Sequence, residues 1–236
     1  KRFSCLTFFS HKVIDGSLEL DSLNDDYFSS ITQNGLHRTV NEISRKHQLK
    51  ETLFGNDLKF QKGGFEFGLS NVIQRYDSPL LKDTLPYNQF DFRGQQLLNT
   101  SLHYSWLYRN IMLFGELVPK FDMNHSGIIQ GLLVSLDKKS NLTFLYRHYG
   151  RSYHSFYNNA FSSGSKVQNE DGFFLGYTNK INSNWSMNTY VDVMQFPWLK
   201  YQVNAPSKGS DYLFQMNYKP NKKVECYFRF RERLKE

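Results

Sequence analysis

Large apolar side chains fall on every second position through much of this chain. In one segment the apolar face carries Val224, Cys226, Phe228 and Phe230, and the polar face carries Lys223, Glu225, Tyr227, Arg229 and Arg231. A period of two predicts a β-strand, because successive side chains of a strand point to opposite sides. A sheet with one apolar face is covered either by a protein core or by lipid.

The same periodicity predicts eleven strands along the chain. They are Phe3–Ile14, Leu49–Gln61, Phe65–Tyr76, Gln89–Leu107, Asn110–Phe121, Gly127–Asp137, Asn141–Gly150, Gly172–Lys180, Trp185–Phe196, Ser210–Tyr218 and Lys222–Glu232. Most approach the length of about 9–11 residues with which a tilted strand crosses a bilayer. Strands of soluble proteins are usually shorter, about 5–6 residues.

Short and long connections alternate between the predicted strands. Tight turns are predicted at residues 62–64, 108–109, 138–140, 181–184 and 219–221, and longer linkers at 15–48, 77–88, 122–126, 151–171 and 197–209. Outer-membrane barrels have this arrangement, with short periplasmic turns and long external loops. The longest linker contains Thr39-Val-Asn-Glu42, a capping-box sequence that predicts one short helix over 40–47.

Aromatic side chains stand near the ends of several predicted strands. The candidates for a membrane interface are Tyr104, Trp106, Trp185, Trp198 and Tyr218. Tyrosine and tryptophan favour that depth because their rings are amphipathic. The alternative interpretation is that they are core aromatics of a β-sandwich.

Composition narrows the class of protein. The chain has 236 residues, of which 39% are hydrophobic and 17% aromatic, so it is too apolar for a disordered chain. It contains no continuous apolar run of about 20 residues, so any membrane span is predicted to consist of strands. The net charge of +7 favours contact with anionic surfaces such as lipid phosphates, and it does not require nucleic acid.

Charged residues on the polar faces are the candidates for lining a lumen. They are Arg147, Asp192, Asp211, Glu225, Arg229 and Arg231. The arginines would bias a lumen toward anions, or they would pair with the carboxylates across neighbouring strands. Three apolar residues, Met112, Phe114 and Val118, share a face with Glu116, and a loop or plug over that part of the lumen would explain them.

Catalytic and metal-binding patterns are weak. The seven histidines are scattered, so we expect no metal site and no cofactor. Ser101, His103 and Ser105 share a strand face, and His154 lies beside Ser155, which leaves an outer-membrane hydrolase open as an alternative. A secreted β-sandwich that binds glycans is the other alternative.

Several motifs together resemble the barrel region of large Bacteroidota outer-membrane proteins that often carry an N-terminal helix-hairpin-helix domain. They are Gly35-Leu-His-Arg-Thr39, Lys50-Glu-Thr-Leu-Phe-Gly55, Phe196-Pro-Trp198, Ala205-Pro-Ser-Lys-Gly209 and Phe228-Arg-Phe-Arg231. The resemblance implies a structural role without an assigned activity. The helix-hairpin-helix itself is absent from these residues.

We therefore predict an all-β fold: an antiparallel up-and-down transmembrane β-barrel, or a fragment of a larger one, with a short helix in a long loop. Residues 1–236 are expected to form a single barrel domain that is part of a longer chain. The predicted location is the bacterial outer membrane, and the predicted role is a pore, transport or secretion-associated component without catalysis. The expected partners are the lipid bilayer, lipopolysaccharide and other outer-membrane or periplasmic proteins.

Overall fold

A computed structural model describes residues 1–20, 26–32, 35–120 and 122–235. The described chain contains twelve strands and one short helix. The elements are β1 (Arg2–Leu20), β2 (Asp26–Thr32), α1 (Val40–Ser44), β3 (Leu49–Lys62), β4 (Phe65–Leu80), β5 (Gly94–Tyr108), β6 (Ile111–Val118), β7 (Gly127–Ser135), β8 (Ser140–Tyr149), β9 (Glu170–Asn179), β10 (Trp185–Phe196), β11 (Ser207–Asn221) and β12 (Val224–Lys235). The predicted all-β class is confirmed.

All twelve strands belong to one sheet. β1 pairs with β3, and from β3 to β12 each strand pairs with the next one along the chain through an antiparallel ladder. β2 lies beside the end of β1 and meets β4 through a single parallel bridge between Phe28 and Leu80. β2 is therefore an addition at one end of the sheet rather than a strand that crosses it.

The predicted strand positions are close to the observed ones, and β10 has the predicted bounds. The largest error is in the linker predicted at 15–48, where β1 continues to Leu20 and pairs with β2. β5 begins at Gly94 rather than Gln89, because residues before it form turns whose carbonyls accept hydrogen bonds from the Arg93 guanidinium. β6 ends at Val118, before Pro119, and the predicted strand end at Phe121 lies outside the described residues.

The helix is shorter than predicted. Thr39 and Glu42 form the predicted capping box, with the Thr39 hydroxyl accepting from the Glu42 amide at 3.2 Å. The helix ends at Ser44 rather than at 47, and His47 has a positive φ of 55°. The His47 amide donates to the Asp15 carboxylate at 3.0 Å, which holds the chain out of the helical path. Within the described residues, no helix has the length and apolarity to cross a membrane.

Short turns and long loops lie at opposite ends of the strands. The short-turn end carries residues 63–64, 109–110, 136–139, 180–184 and 222–223. The long-loop end carries 81–93, 119–120, 122–126, 150–169 and 197–206. The last turn is at 222–223 rather than 219–221, because the Asn221 side chain accepts hydrogen bonds from the amides of Lys223 and Val224. The α1 segment also lies at the long-loop end, between β2 and β3.

The sheet has two chemically different faces. The outer face consists of the side chains that point to the same side of the sheet as Val191. The inner face consists of those that point to the same side as Asp192. Both sets follow from the pairing of residues across the strands. Large apolar side chains on the outer face are widely exposed, including Phe3 at 78%, Phe228 at 64% and Phe230 at 56%. The inner face carries the buried charged groups described below, together with apolar side chains such as Phe114 and Val118.

Candidate functional site

The loop between β8 and β9, residues 150–169, lies against the inner face, and we call it the inner loop. Its Tyr157 hydroxyl donates to the Glu51 carboxylate of β3 at 2.8 Å, and Lys12 of β1 forms an ion pair with Glu51 at 3.1 Å. The Ser163 carbonyl accepts from the Lys235 ammonium of β12 at 2.9 Å. Because one loop reaches strands at both edges of the sheet, the sheet curves around it.

A buried charge network crosses β8, β9 and β10 beneath the inner loop. The Arg147 side chain has no exposed surface, and its Nε donates to Glu170 at 2.6 Å. Its two terminal nitrogens donate to the Asp192 carboxylate at 2.7 and 3.1 Å, a bidentate contact. Such a network is stable only when every member is satisfied, because buried charges without partners are strongly unfavourable.

Glu170 connects this network to the inner loop. Its carboxylate accepts hydrogen bonds from the Ser162 hydroxyl at 2.8 Å and from the backbone amides of Ser163 at 3.0 Å and Gly164 at 3.1 Å. The Phe161 ring lies 5.0 Å from the Arg147 guanidinium carbon. The network therefore anchors residues 161–164 to the sheet.

Space for the Arg147 guanidinium is provided by Gly172, its register partner on β9. A β-carbon at Gly172 would overlap the guanidinium. The same arrangement occurs at Gly55, where a β-carbon would overlap the ring of Phe8 on β1. Glycine at these strand positions lets a large inner-face side chain lie across the neighbouring strand.

A second charged cluster continues the inner face onto β11 and β12. Asp211 stands opposite Asp192 in register and accepts from Arg231 Nε at 2.9 Å. Arg233 lies 3.5 Å from the same carboxylate, and the Tyr190 hydroxyl donates to it at 3.2 Å. Charges of both signs thus form a continuous band from β8 to β12.

All six lumen candidates have the strand parity of the inner face. Arg147 and Arg231 form the predicted cross-strand ion pairs with Asp192 and Asp211, and Arg229 donates to the neutral Gln215 at 2.6 Å. Glu225 differs, because it lies near the short-turn end, is exposed, and pairs with Lys219 at 3.2 Å. It does not join the arginine clusters.

We predicted that a loop or plug covers the apolar residues of this face, and this is the case for Val118. It is buried and packs with Tyr149 of β8 and Tyr153 of the inner loop, so a loop covers it. Phe114 instead fills the space above Gly131 of the neighbouring strand.

Sequence reasoning missed two carboxylates that anchor the inner loop. Glu170 was assigned to the linker that ends at residue 171, although it shares strand parity with Gly172. Glu51 lies opposite Lys12 in register on the inner face. The spacing of both residues was visible in the sequence, but their contacts with a distant loop were not.

The two histidines suspected of catalysis have other neighbours. His103 Nε2 lies 2.9 Å from Asp57, and the same carboxylate accepts from Ser70 at 2.7 Å, so Asp57 stands between them. Burial lowers the pKa of His154 in the inner loop to about 4, and its ring packs against Phe92. A nucleophilic serine shares a hydrogen bond with its base, and the described residues show none at His103 or His154. Nor do they include a cluster of three His, Cys, Asp or Glu groups suited to a metal ion.

The predicted interface aromatics divide into two groups. Tyr104, Trp106, Trp185 and Tyr218 lie on the outer face toward the short-turn end, where the rings of Trp185 and Tyr218 are 4.5 Å apart. Trp198 does not join them. Its Nε1 donates to the Pro86 carbonyl at 2.9 Å, and its ring packs against Phe90, so it belongs to the long-loop end.

Comparisons with known proteins find no match to a protein-family model and no significant similarity to a curated protein or a solved structure. What the chain does is therefore inferred from its own residues and geometry.

Proposed function

We propose that this chain forms part of the wall of a transmembrane β-barrel in the bacterial outer membrane, acting as a pore, transport or secretion-associated component. The observation that carries the proposal is the difference between the two faces of one long sheet. The outer face carries most of the exposed large apolar side chains of the strands, and its polar residues Asn56, Asn71 and Thr100 hydrogen-bond to one another. The inner face carries the charged band and the inner loop. In water an apolar surface of this extent would drive association, whereas lipid covers it without further protein.

Two further features support a membrane position. Trp106, Trp185 and Tyr218 lie on the outer face toward the short-turn end, the depth at which aromatic girdles meet lipid head groups. The long loops all lie at the opposite end, as in barrels whose loops face the exterior. The proposed partners are therefore the lipid bilayer and lipopolysaccharide.

The inner loop limits passage through the proposed lumen. It is fixed to β9 through Glu170 and to β3 through Glu51, and Val118 and Tyr149 pack beneath it. A solute that moves along the inner face would meet this loop and the arginine groups beside it. We therefore propose a narrowed lumen rather than an open one.

The two edge strands require further partners in a bilayer. Apart from β2, eleven strands form the sheet, so β1 and β12 both run from the short-turn end to the long-loop end. Within the described residues no ladder joins β1 to β12. Unpaired backbone groups are not tolerated in lipid, and an antiparallel barrel closes with alternating directions. We propose that an odd number of further strands lies between them, and that the strands next to β1 and β12 are antiparallel to these edges.

A second copy of this sheet would not supply that closure. Copies inserted in the same membrane orientation present edge strands that run in the same direction, so their edges would meet in parallel. The strands that pair with β1 and β12 therefore run in the opposite direction to these two edges.

Native cysteines allow a test of this closure. Cys5 of β1 and Cys226 of β12 are both exposed, and both point to the outer face. If the edges paired directly, one outer-facing position of β1 would lie within about 4.4–6.8 Å of Cys226, measured between Cα atoms, and would form a disulfide. We expect no disulfide with Cys226 when a single cysteine is moved through the β1 positions Phe3, Cys5, Thr7, Phe9, His11 and Val13.

The matched control places the second cysteine at Tyr218, the register partner of Cys226, with Cys5→Ser. That pair is expected to cross-link on oxidation. Efficient cross-linking of Cys226 to any of the β1 positions would refute the additional strands.

Electrophoresis and conductance test the proposed function. The protein, extracted in detergent together with the strands that close the barrel, should migrate differently before and after boiling, because a folded barrel resists the detergent. After reconstitution it should carry a small current that increases when Glu170→Ala releases the inner loop. Full solubility without detergent, with mobility that does not depend on heating, would refute the barrel. If mobility depends on heating but neither the unsubstituted protein nor Glu170→Ala carries a current, only the proposal of a conducting lumen is refuted.

A further inference from the structure

Three loops meet around a cavity of about 390 Å³ at the long-loop end. They are residues 81–93, the inner loop and residues 197–206. Two aromatic pairs line the cavity. Tyr87 meets Tyr201 with ring centroids 5.5 Å apart, and Phe90 meets Trp198 at 5.2 Å. Its size lies within the range of about 300–1,000 Å³ that small-molecule sites occupy.

The walls of this cavity are held in place by polar contacts. Trp198 and Asn169 exchange two hydrogen bonds, one from the Asn169 amide group to the Trp198 carbonyl at 3.0 Å and one from the Trp198 amide to Asn169 at 2.8 Å. The Arg151 guanidinium lies over the rings of Phe90 and Trp198, at 5.0 and 5.5 Å, and donates to Asn124. A ligand would therefore meet aromatic walls that are already ordered, which lowers the entropy lost on binding.

Charge around the cavity is predominantly positive. Of the described lining residues, four are cationic, Arg151, Lys166, Lys200 and Lys235, and one, Asp91, is acidic. Asp91 is already engaged, because it accepts from Lys166 at 2.6 Å and from Gln168 at 3.0 Å.

Lys200 and Lys235 complete the cationic lining of the cavity, and Lys235 donates to the Ser163 carbonyl at 2.9 Å. Burial lowers the pKa of Lys200, and the positive charge of Lys235 lowers it further. The Lys200 ammonium lies 3.5 Å from the ring centroid of Phe196, at the wall of the cavity. An anion bound in the cavity would lie among four cationic side chains, which favour its charge.

We infer that this cavity binds an acidic carbohydrate, a sugar that carries a carboxylate or a sulfate. The C–H groups of a pyranose ring present an apolar face that fits against aromatic rings such as those of Trp198 and Tyr201. The acidic group is placed at Lys200 and Lys235. A simple anion would use only the lysines, and a neutral sugar would use only the aromatic walls. The ligand is either a free oligosaccharide or the head group of a glycolipid.

The test uses the full chain in detergent and calorimetric titration with four probes: a glucuronate-containing disaccharide, cellobiose, inorganic phosphate, and vesicles that contain an anionic glycolipid. We expect saturable binding of the acidic disaccharide, at least about tenfold tighter than that of cellobiose or phosphate, because only this probe contacts both the lysines and the aromatic walls. The affinity should fall as salt is added. Binding of both the disaccharide and the vesicles would show that the cavity accepts a free sugar as well as a glycolipid head group. Binding of the vesicles alone would identify the glycolipid as the ligand.

Variants separate the two halves of the site. The double substitution Lys200→Gln and Lys235→Gln should lower the affinity for the acidic disaccharide by about tenfold or more. The affinity for cellobiose should stay unchanged. The Tyr201 ring is 68% exposed. Tyr201→Ala should therefore lower the affinity for both sugars and leave the circular dichroism spectrum unchanged. The matched controls are Lys46→Gln, at an exposed lysine after α1, and Tyr108→Ala, at an exposed ring of the short-turn end.

Three results would overturn the inference: equal affinity for the acidic and neutral disaccharides, equal affinity for phosphate and the acidic disaccharide, or no saturable binding of any sugar or glycolipid. None of these results bears on the barrel, which is judged by heat-dependent mobility.

Discussion

Replacing Arg147 with methionine is expected to lower the free energy of unfolding by about 3–5 kcal/mol. The substitution leaves the carboxylates of Glu170 and Asp192 buried without the guanidinium that now neutralises both. It also removes the group that holds Glu170 in position to bind the inner loop. The measurement is denaturant unfolding of the protein in detergent, followed by circular dichroism.

Two controls identify the buried charge as the cause. Arg109→Met, at an exposed turn, should change the free energy of unfolding by less than about 0.5 kcal/mol. Adding Glu170→Gln and Asp192→Asn to Arg147→Met should recover part of the lost stability, because no uncompensated charge remains. If Arg147→Met has no more effect than Arg109→Met, the network does not anchor the inner loop.

Val191→Arg is expected to lower the stability of the inserted protein by about 2–4 kcal/mol, the effect of a cation at the middle of the lipid-facing surface of a barrel. Val191 lies on the outer face midway along β10, beside Leu175 and Tyr212 of the neighbouring strands. Its side chain is 36% exposed in the protein alone. In water, the same substitution at an exposed position would change stability by less than about 0.5 kcal/mol. The size of the effect therefore distinguishes lipid from water.

The matched control for Val191→Arg is Leu85→Arg. Leu85 is also exposed, but it lies in the loop 81–93, outside the proposed bilayer. Unfolding in lipid vesicles should show a large effect at residue 191 and a small one at residue 85. Equal, small effects at both positions would favour the secreted β-sandwich.

The strands could be predicted because their signal is local. Alternation of apolar and polar side chains located β10 to the residue and most other strands to within a few residues. The capping box located the start of α1 for the same reason. The outer-facing side of Phe228 and Phe230 and the inner-facing side of Arg229 and Arg231 also followed from parity.

The rest depended on contacts between distant parts of the chain. β2 was missed because Phe28 is buried by Leu49, Tyr76 and Leu80, which lie on strands far along the sequence. The inner loop has no periodic pattern, and its position follows from hydrogen bonds to Glu51 and Glu170. Trp198 lies at the end of β10 opposite Trp185, as predicted, but its contacts with Pro86 and Phe90 of a distant loop could not be read from the alternation.

Contact between the outer face and lipid can be measured by a nitroxide scan along β10. Single spin labels at residues 187 to 193, in vesicles, would be compared for relaxation by oxygen, which concentrates in lipid, and by a water-soluble nickel complex. We predict that positions 187, 189, 191 and 193 respond to oxygen and that 188, 190 and 192 do not, in step with the observed register. Relaxation of the odd positions by the nickel complex would place that face in water and contradict the account.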